Sequence, residues 1–372
     1  MSTNNQSWIN RGTEIETPFL LVDDQLAKQN IARIASYAAK HQLNLRPHTK
    51  THKSKAWAQL QLESGAIGLT VAKAGEAEVM AEVCDDLLMA YPPVDAAKSN
   101  RLAALAKRIT LRVGVDSSKA IEVLAEATAL AGSTIGVLID CDLGFHRTGV
   151  QTPQDSLALA QQVDQASNLR LDGIMFFPGD VSGNDLQQAS QIEKYDAQLG
   201  AIIDLWQEHG LKAAIVSGGA TPSAMNTHLF AHLTEFRPGT LIYNDCNTFR
   251  GGYCEMEDCA ARIIATVIST AVAGKAVIDA GSKTLTSDRC GPALDSGHGH
   301  VCEYPEAKIT RLSEEHGEID FSACSGRPEV GDRLTIIPNH ICPCVNLQDV
   351  FYRIDSDENI ECSQVDARGL LS

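Results

Sequence analysis

Residues 109–140, ITLRVGVDSSKAIEVLAEATALAGSTIGVLID, show the repeating pattern from which the fold of this chain can be predicted. Two short apolar runs, ITLRVGV and IGVLID, have the length and composition of buried strands, and the stretch between them is amphipathic, as a helix is. The same alternation continues on both sides, from about residue 24 to residue 245. The pattern therefore predicts a series of strand–helix units.

Helical periodicity and the number of apolar runs sharpen this prediction. One apolar face is formed by Ile31, Ile34, Ala35 and Ala38, and another, which ends before Gly210, by Leu199, Ile202, Ile203 and Trp206. The strand candidates are LNLRPH near residue 45, AIGLTVA near 68, DLLMAY near 88, ITLRVGV near 112, IGVLID near 137, LDGIMFF near 174, AAIVSG near 215 and TLIYND near 242. About eight strands that alternate with helices close a (β/α)8 barrel, so we predict an α/β fold with a TIM-type barrel over residues 24–245. A doubly wound open sheet is the structural alternative.

The pattern changes after residue 245. A Gly-rich polar segment, DCNTFRGGYCEMED, precedes runs that have the character of strands: ARIIATVIST, KAVIDAG, AKITRLS, DRLTIIP and a terminal hairpin in which DVFYRI and NIECSQV flank DSDE. We therefore predict a mostly β C-terminal domain over residues 256–372, with which residues 1–23 could pair.

Composition and charge narrow the functional classes. With 44% hydrophobic and 21% charged residues and a mean hydropathy of -0.10, the 372-residue chain has the composition of an ordinary globular protein. Its formal net charge of -16 argues against a general affinity for nucleic acid or anionic membranes, which bind clustered Lys and Arg. We expect a cytoplasmic protein, because MSTNNQSWINRGTE lacks the basic and apolar parts of a signal peptide. An odd cysteine count, 11, and the lack of a CxxC pair disfavour a disulfide framework and a structural zinc knuckle.

The segment RPHTKTHKSK (46–55) concentrates basic side chains at the end of the first strand candidate of the barrel. In an extended chain every second side chain shares a face, so Arg46, His48, Lys50 and His52 would lie together where barrel active sites form. Crowded positive charge disfavours the ammonium form of Lys50 and makes it a better nucleophile toward a carbonyl group. A solvated basic loop explains the same pattern.

The segment VSGGATPS (216–223) follows another strand candidate. Gly218 and Gly219 let the backbone approach an anion, and Thr221 as N-cap with Pro222 at the first helical position would start a helix whose free N–H groups face that anion. The segment is therefore a candidate phosphate-binding loop. A plain turn between a strand and a helix is equally consistent with the spacing.

Together with other segments, these motifs resemble the D-threonine aldolase and D-serine dehydratase family, fold type III enzymes that use pyridoxal 5'-phosphate (PLP) and are related to alanine racemase. The resemblance is carried by TPFLLVD (17–23), RPHTKTHK (46–53), DLLMAYPPV (86–94), DLGFHRTGV (142–150), VSGGATPS, EFRPGTLIYND (235–245), DAGSKTLTSD (279–288), SEEHG (313–317) and PNHICPCVNL (338–347). These segments span nearly the whole chain in the family's order, and HTKTHK with the late PNHxC run is specific to this family.

The resemblance implies roles for the matching residues. Lys50 corresponds to the lysine that binds PLP covalently, and Arg147 to an arginine near the phenolic oxygen of PLP. Arg237 corresponds to the arginine that faces the pyridine nitrogen in racemases. The phosphate-binding loops correspond to Gly218, Gly219, Ala220 and Thr221, with Gly239 and Thr240.

His340 and Cys342 form a candidate metal site. They lie two residues apart, so an extended backbone would point both side chains the same way, and imidazole with thiolate suits Zn²⁺ or a similar ion. In an arbitrary sequence an HxC pair is more often a surface His beside a buried Cys. In the family that this chain resembles, the position is a divalent-metal site, which implies Zn²⁺, or Mn²⁺ or Mg²⁺, here. His316 of SEEHG, and with less support His298 and His300, would lie near the ion as bases or supporting groups, although each could also be a core histidine.

One segment departs from the family pattern. Relatives have a sequence like FYPGH where this chain has FFPGD, so Phe177 replaces a tyrosine and Asp180 a histidine. Phe177 cannot donate a hydrogen bond, and any contact through that hydroxyl is lost. We expect this change to affect substrate identity more than PLP binding.

The combined prediction is a PLP- and metal-dependent lyase that acts on a D-3-hydroxy amino acid, a small molecule, as the homodimer that the family implies. Dehydration with release of ammonia is favoured over aldol cleavage, because a thiolate ligand suits Zn²⁺, a strong Lewis acid for a departing hydroxyl group. An amino-acid racemase, which needs two opposed bases and no metal, is a further alternative. So is a non-catalytic PLP-binding protein, although such chains lack the β domain.

Overall fold

The computed structural model of the chain describes residues 11–290 and 296–372, which form two compact units. The barrel unit comprises Ala32–Lys50, Ser54–Gly239 and Leu370–Ser372. The β unit comprises the chain up to Ile31, Thr51–Lys53 and Thr240–Gly369. Residues 1–10 of the predicted N-terminal pairing segment lie outside the described residues.

Eight parallel strands form the sheet of the barrel unit, in the order β2-β9-β8-β7-β6-β5-β4-β3. They are β2 (Asn44–Leu45), β3 (Leu69–Val71), β4 (Asp86–Met89), β5 (Thr110–Val115), β6 (Ile135–Asp140), β7 (Leu169–Met175), β8 (Ile215–Gly218) and β9 (Glu235–Phe236). The first and last strands in this order are joined as well, because Ile67 N donates to Leu45 O and Thr70 N to Pro47 O, both at 2.9 Å. These hydrogen bonds close the sheet, so the predicted barrel is confirmed and the open doubly wound sheet is wrong.

Helices separate most of these strands, as the periodicity predicts. They are α1 (Asp24–Lys40), α2 (Lys55–Glu63), α3 (Ala74–Met80), α4 (Ala96–Leu105), α5 (Ser118–Ala131), α6 (Pro153–Gln165) and α7 (Asp185–Glu208). Local sequence sets their ends: the Asp95 side chain caps α4, Thr152 and Pro153 start α6, and Gly132, with φ 65°, ends α5. The predicted apolar faces are buried through Ile31 and Ile34 of α1 and through Ile202 and Trp206 of α7.

A chain of ion pairs links five strands or strand ends of the barrel unit. Arg46 pairs with Glu235 at 3.0 Å and with Asp86 at 2.6 Å, and Arg112 pairs with Asp86 at 2.6 Å and with Asp172 at 2.8 Å. Glycines make room for it, since a Cβ on Gly68 would lie 2.3 Å from Arg46 Nη1. Arg46 is therefore a structural residue, and neither a solvated basic loop nor a free basic cluster describes this segment.

Two predictions about segment conformation are wrong. The chain stays extended only as far as His48, which bridges Thr70, and then turns at residues 49–52, so the expected common face of Arg46, His48, Lys50 and His52 does not form. TLIYND is not a strand: Thr240–Ile242 is a 3-10 helix, and the eighth barrel strand is the earlier pair Glu235–Phe236. A short apolar run does not distinguish a buried strand from a buried helical turn, which explains the second error.

The β unit is built on a nine-stranded sheet. Its strands are β1 (Phe19–Asp23), β10 (Ala261–Ser269), β11 (Lys275–Ile278), β12 (His300–Val301), β13 (Lys308–Leu312), β14 (Gly317–Asp320), β15 (Arg333–Ile337), β16 (Val350–Ile354) and β17 (Ile360–Gln364). β1 lies between β10 and β16, and β16 pairs with β17 in the predicted terminal hairpin. Three short helices belong to this unit: α8 (Cys246–Arg250), α9 (Ser282–Leu285) and α10 (Ile341–Leu347).

None of the helices in the described part of the chain is both long enough and apolar enough to cross a bilayer.

Candidate active site

Lys50 follows the carboxyl end of β2, the end of parallel barrel strands at which active sites are built. Its side chain is exposed, whereas Thr49 and Thr51 on either side are buried. The backbone N–H of Lys50 donates to His48 Nδ1 at 3.4 Å, within the turn that ends the extended segment. The turn therefore presents Lys50 on a backbone that its buried neighbours hold in place.

Arg147 lies in the loop that follows β6. Its guanidinium group packs over two aromatic rings, with its central carbon 5.1 Å from the ring centre of Phe145 and 4.6 Å from that of Phe177. No hydrogen bond ties this guanidinium to another side chain within the described residues. Phe177, the residue that departs from the family pattern, thus supplies a ring face under Arg147, so its aromatic character has a use without the hydroxyl group.

The segment Gly218–Thr221 follows β8 and has the close packing that a backbone anion site requires. A Cβ on Gly218 would lie 2.3 Å from Phe176 Cζ, and Gly219 has φ +88°, so neither position accommodates a side chain without strain. The buried hydroxyl groups of Ser217 and Ser223 have no hydrogen-bond partner within residues 11–290 and 296–372. The segment thus combines a backbone without side chains at Gly218 and Gly219 with nearby serine hydroxyl groups that lack a described partner. Both features fit a phosphate.

The helix predicted at Thr221–Pro222 does not form. A 3-10 helix begins later, at Ala224, and Ser223 precedes it without a side-chain cap. Any anion held here would therefore meet the backbone N–H groups of the loop and not the end of an α-helix.

Arg237, directly after β9, is buried. Its Nη2 donates to Phe176 O at 2.7 Å and more weakly to Ser217 O at 3.5 Å, while its Nε has no partner among the described residues. Burial lowers the pKa of this guanidinium group, although the nearby carboxylates of Glu235 and Asp140 oppose that effect. The Nε group is a donor without an acceptor, which is the feature expected of a residue that faces a bound group.

Asp140 ends β6 and was not anticipated from the sequence. Burial raises the pKa of this carboxyl group to about 6, and the hydrogen bond from Thr148 Oγ1, at 2.8 Å, and the cations of Arg237 and Arg147 only partly compensate. An acidic residue at the carboxyl end of a barrel strand was the available signal.

In the β unit, His340 and Cys342 stand at the start of α10. His340 is the N-cap residue and Cys342 lies in the first helical turn, so the extended backbone predicted for HxC is wrong. The thiol nevertheless lies close enough to the imidazole to raise the pKa of His340. Thr51 Oγ1 lies 3.2 Å and Thr240 Oγ1 3.8 Å from Cys342 Sγ.

Two carboxylates support this pair. His340 Nδ1 lies 2.9 Å from Asp288 Oδ2, which leaves the other ring nitrogen for a metal, as in carboxylate–histidine–metal sites. Buried Asp245 accepts from Ile341 N at 3.1 Å and so holds the first turn of α10. Burial would lower the pKa of His340, but Cys342, Asp245 and Asp288 outweigh it and raise that pKa to about 9. Asp288 and Asp245 end two of the family-like segments, DAGSKTLTSD and EFRPGTLIYND, and that position was the only sequence signal for them.

The structure does not bring the other predicted histidines to this pair. His316 is exposed in the turn between β13 and β14, and its side chain makes no hydrogen bond or ion pair within the described residues. His298 is buried and contacts Arg289, and His300 is half-buried, with its pKa lowered to about 4 mainly by loss of solvent. The role of His316 as a base stays a prediction. No group of three or more His, Cys, Asp or Glu side chains in the described part of the chain is arranged to hold a metal ion.

Comparison with known proteins covers almost the whole chain. Residues 22–246 match the family described as alanine racemase, N-terminal domain, and residues 260–354 match the putative serine dehydratase domain. The chain is 28% identical to a D-threonine aldolase of Arthrobacter sp., over 95% of this chain and 93% of that protein. It is 30% identical to a D-threo-3-hydroxyaspartate dehydratase of Delftia sp. strain HT23, over 88% and 91%.

A solved structure agrees with these matches. It is a D-threo-3-hydroxyaspartate dehydratase with a cysteine-to-alanine mutation, in the metal-free form, and it is 26% identical to this chain, with a TM-score of 0.86 and coverage of 94% of this chain and 97% of that one. Both halves of the chain, their order and the barrel therefore match one group of proteins. The chain belongs to the D-threonine aldolase and D-serine dehydratase family, PLP-dependent lyases with the alanine racemase fold.

Proposed function

We propose that this chain dehydrates a D-3-hydroxy amino acid to a 2-oxo acid and ammonia, with PLP and a divalent metal ion as cofactors. The observation that carries the proposal is the contact between the His340 imidazole and the Cys342 thiol, with Asp288 behind the imidazole. This donor set suits Zn²⁺ better than Mn²⁺ or Mg²⁺. A Lewis acid of this kind assists the departure of a hydroxyl group.

The proposed PLP residues, except Thr240, belong to the barrel unit. PLP provides an electron sink for the charge that develops at Cα of the substrate. Lys50 would hold it covalently, Arg147 would keep its phenolic oxygen ionised, and Arg237 would face its pyridine ring with the Nε donor that lacks an acceptor. The phosphate would be held by the backbone of Gly218, Gly219, Ala220 and Thr221, with Gly239 and Thr240.

The β unit supplies the proposed metal ligands, His340 and Cys342. Two protein ligands leave coordination positions for water and for the substrate, which is the arrangement of a catalytic ion. The relative solved as a metal-free cysteine-to-alanine mutant supports a cysteine ligand in this family. Asp288 would orient His340 and increase its basicity toward the ion.

Aldol cleavage to glycine and an aldehyde is the second candidate. Its support is the D-threonine aldolase of Arthrobacter sp., which aligns with 95% of this chain at 28% identity. The same metal ion would lower the pKa of the substrate hydroxyl group and so assist cleavage of the Cα–Cβ bond. The two reactions differ in which proton the protein removes, from Cα or from the hydroxyl group.

Product analysis separates these reactions. The purified protein is incubated with D-serine, D-threonine and 3-hydroxy-D-aspartate, with the L-enantiomers as controls, and ammonia, 2-oxo acids, glycine and aldehydes are measured. Ammonia and a 2-oxo acid in equal amounts are expected from at least one D-substrate. Glycine and an aldehyde as main products would establish the aldolase instead, and inversion at Cα without either product would establish a racemase.

We also propose a cytoplasmic homodimer, on the strength of the family resemblance. Light scattering of the eluate from size-exclusion chromatography measures the mass in solution. A mass near twice 40.0 kDa is expected, and a mass near 40.0 kDa would contradict the dimer.

A further inference from the structure

The loop that carries Arg147 is closed at its base by main-chain hydrogen bonds. Asp142 N donates to Val150 O at 3.0 Å, and Val150 N donates to Asp140 O at 2.9 Å. The seven residues between Asp142 and Val150 therefore leave the end of β6 and return to it. The contacts that hold the backbone inside this loop therefore determine the position of Arg147.

Carboxylates hold the residues on both sides of Arg147: Thr148 Oγ1 donates to Asp140 Oδ2 at 2.8 Å and Gly149 N to Asp116 Oδ2 at 3.2 Å, while Asp142 holds the residues before Arg147. Asp142 Oδ1 accepts from Gly144 N at 2.9 Å and from His146 N at 3.0 Å. Asp142 Oδ2 lies 2.9 Å from both His146 Nδ1 and Gln151 Nε2. The side chain of Asp142 is only 1% exposed, so these hydrogen bonds replace its water shell.

The backbone of this loop needs such support. Gly144 has φ +145°, and His146 has φ +57°, a left-handed conformation that is unfavourable for a residue with a Cβ. Both unusual conformations fall at N–H groups that donate to Asp142. Burial alone would raise the pKa of Asp142, but the hydrogen bonds from Gln151, His146 and Gly144 lower it to about 2, so the carboxylate is ionised at every pH at which the protein would be assayed.

Arg147 depends on this backbone because little else holds it. It follows His146 directly, and its guanidinium group contacts the rings of Phe145 and Phe177 without a hydrogen bond to any described residue. Attraction to an aromatic ring holds a cation near the ring but, unlike a hydrogen bond, does not fix it at one atom. The position of the cation along those faces is therefore set by the course of the chain through His146.

We propose that Asp142 is the positioning residue for Arg147: its carboxylate holds residues 144–146 in the one backbone course that places the Arg147 guanidinium over Phe177. This inference rests on the proposed function of Arg147 beside the phenolic oxygen of PLP. Asp142 itself touches neither substrate nor cofactor in this assignment. It acts by fixing a cation that does.

A double-mutant cycle on the holoenzyme tests the inference. The cycle uses Asp142→Ala, Arg147→Ala and the double variant. Asp142→Asn is added as a milder change that keeps one acceptor oxygen. The measurements are kcat, the dissociation constant of PLP, the absorption spectrum of bound PLP and the melting temperature. Misplacing Arg147 should lower kcat by roughly 10- to 100-fold in Asp142→Ala. In the Arg147→Ala background the same change should cost less than about twofold, because the two residues act as one unit.

The cofactor spectrum supplies a readout that a purely structural role would not move. Asp142→Ala and Arg147→Ala should shift the absorption of bound PLP in the same direction, with Asp142→Asn between them and the wild type. Asp172→Asn is the matched control: Asp172 is a buried carboxylate of β7 that pairs with Arg112 at 2.8 Å, and its loss should lower the melting temperature and leave kcat and the spectrum unchanged.

The outcomes separate this inference from the proposed function. If Arg147→Ala changes the spectrum and kcat but neither Asp142 variant does, or if the effects of the two residues multiply, the inference is overturned and the role of Arg147 stands. If Arg147→Ala leaves an active enzyme with an unchanged spectrum, the role of Arg147 and the inference both fall. If Asp142→Ala does not fold, the comparison of Asp142→Asn in the two backgrounds decides by the same criteria.

Discussion

Covalent binding of PLP is predicted to depend on one side chain, Lys50. Borohydride reduction of the holoenzyme, followed by peptide mapping, is expected to leave the pyridoxyl group on this residue, and Lys50→Ala is expected to carry no label. The neighbouring half-buried lysine, Lys55, which pairs with Glu82 at 2.8 Å, is the matched control, and Lys55→Ala should label normally. A label on any other lysine would contradict the assignment of the turn after β2.

The thiol of Cys342 is predicted to be a metal ligand, and the thiol of Cys344 is not. Cys342→Ala should lose the bound metal and lyase turnover but keep PLP. Cys344→Ala should keep all three, because Cys344 is buried and its Sγ contacts Leu285 O at 3.3 Å. Asp288→Asn should lower the affinity for the metal by about 10- to 100-fold, since it removes the carboxylate behind His340. Elemental analysis and titration with a competing chelator measure these effects; equal metal content in Cys342→Ala and the wild type would refute the site.

The raised pKa of Asp140 is predicted to make the free energy of unfolding depend on pH. Its pKa in the folded chain is about 6, against a usual value of 3.8, so the folded state holds this proton more tightly than the unfolded state. Stability from this group is therefore present at acid pH and is lost as the pH rises through about 6. Between pH 5 and pH 7.5 the wild type should lose about 1–2 kcal/mol of unfolding free energy that Asp140→Asn does not lose. Urea unfolding of the apoprotein at the two pH values gives the comparison, and parallel pH profiles would show that Asp140 is not the source.

At the level of the elements, the position of the two-residue strands β2 and β9 in the barrel is predicted to depend more on ion pairs than on the length of the strands. Arg46, 1% exposed, follows β2 and bonds to Glu235, 2% exposed, in β9 at 3.0 Å. Glu235→Ala should lower the unfolding free energy by about 3–5 kcal/mol, because it leaves a buried guanidinium group with only the half-buried Asp86 as partner. Glu82→Ala, which breaks the exposed pair with Lys55, should cost at most about 1 kcal/mol. Equal effects in urea denaturation would show that the barrel does not depend on this pair.

At the scale of the whole molecule, the proposed function uses two different cofactors, and these are predicted to be separable. Exhaustive chelation should abolish lyase activity and leave the absorption of bound PLP in place, because the proposed ligands His340 and Cys342 are distinct from the proposed PLP residues. Addition of Zn²⁺ should restore turnover, and Mn²⁺ or Mg²⁺ should restore less, because thiolate and imidazole prefer the softer ion. Full activity after chelation, with no metal detected, would remove the metal from the mechanism and favour the racemase alternative.

Periodicity carried most of the fold prediction. Six of the predicted barrel segments contain an observed strand and a seventh, LDGIMFF, overlaps β7, because alternating apolar runs and amphipathic stretches report burial directly. The eighth strand was placed at TLIYND, and the chain instead uses Glu235–Phe236. Two residues are too few for any local pattern, and β9 exists because it pairs with β2 and β8 at its own place in the sheet.

The site shows the same division. Motifs by themselves pointed to Lys50, to Gly218–Thr221 and to the His340–Cys342 pair, and the resemblance added Arg147 and Arg237. Asp142, Asp140 and Asp288 received no role, because a carboxylate gains one from the donors around it, and those donors come from other turns and strands. For the same reason the predicted common face of Arg46 and Lys50 does not form. The Arg46 side chain pairs with Glu235, which is 189 residues away in sequence.

Local periodicity and residue chemistry are enough to predict the barrel class, the change to a β-rich C-terminal part and the chemical types of the candidate-site residues. Four features emerge only in the folded chain: the identity of the last barrel strand, the structural role of Arg46, the position of His340 and Cys342 at the start of a helix, and the position of Asp142 inside the Arg147 loop. Each of these depends on pairs of groups that are distant along the chain or on hydrogen bonds within a folded loop. Neither kind of contact produces a periodic pattern of residues in the sequence.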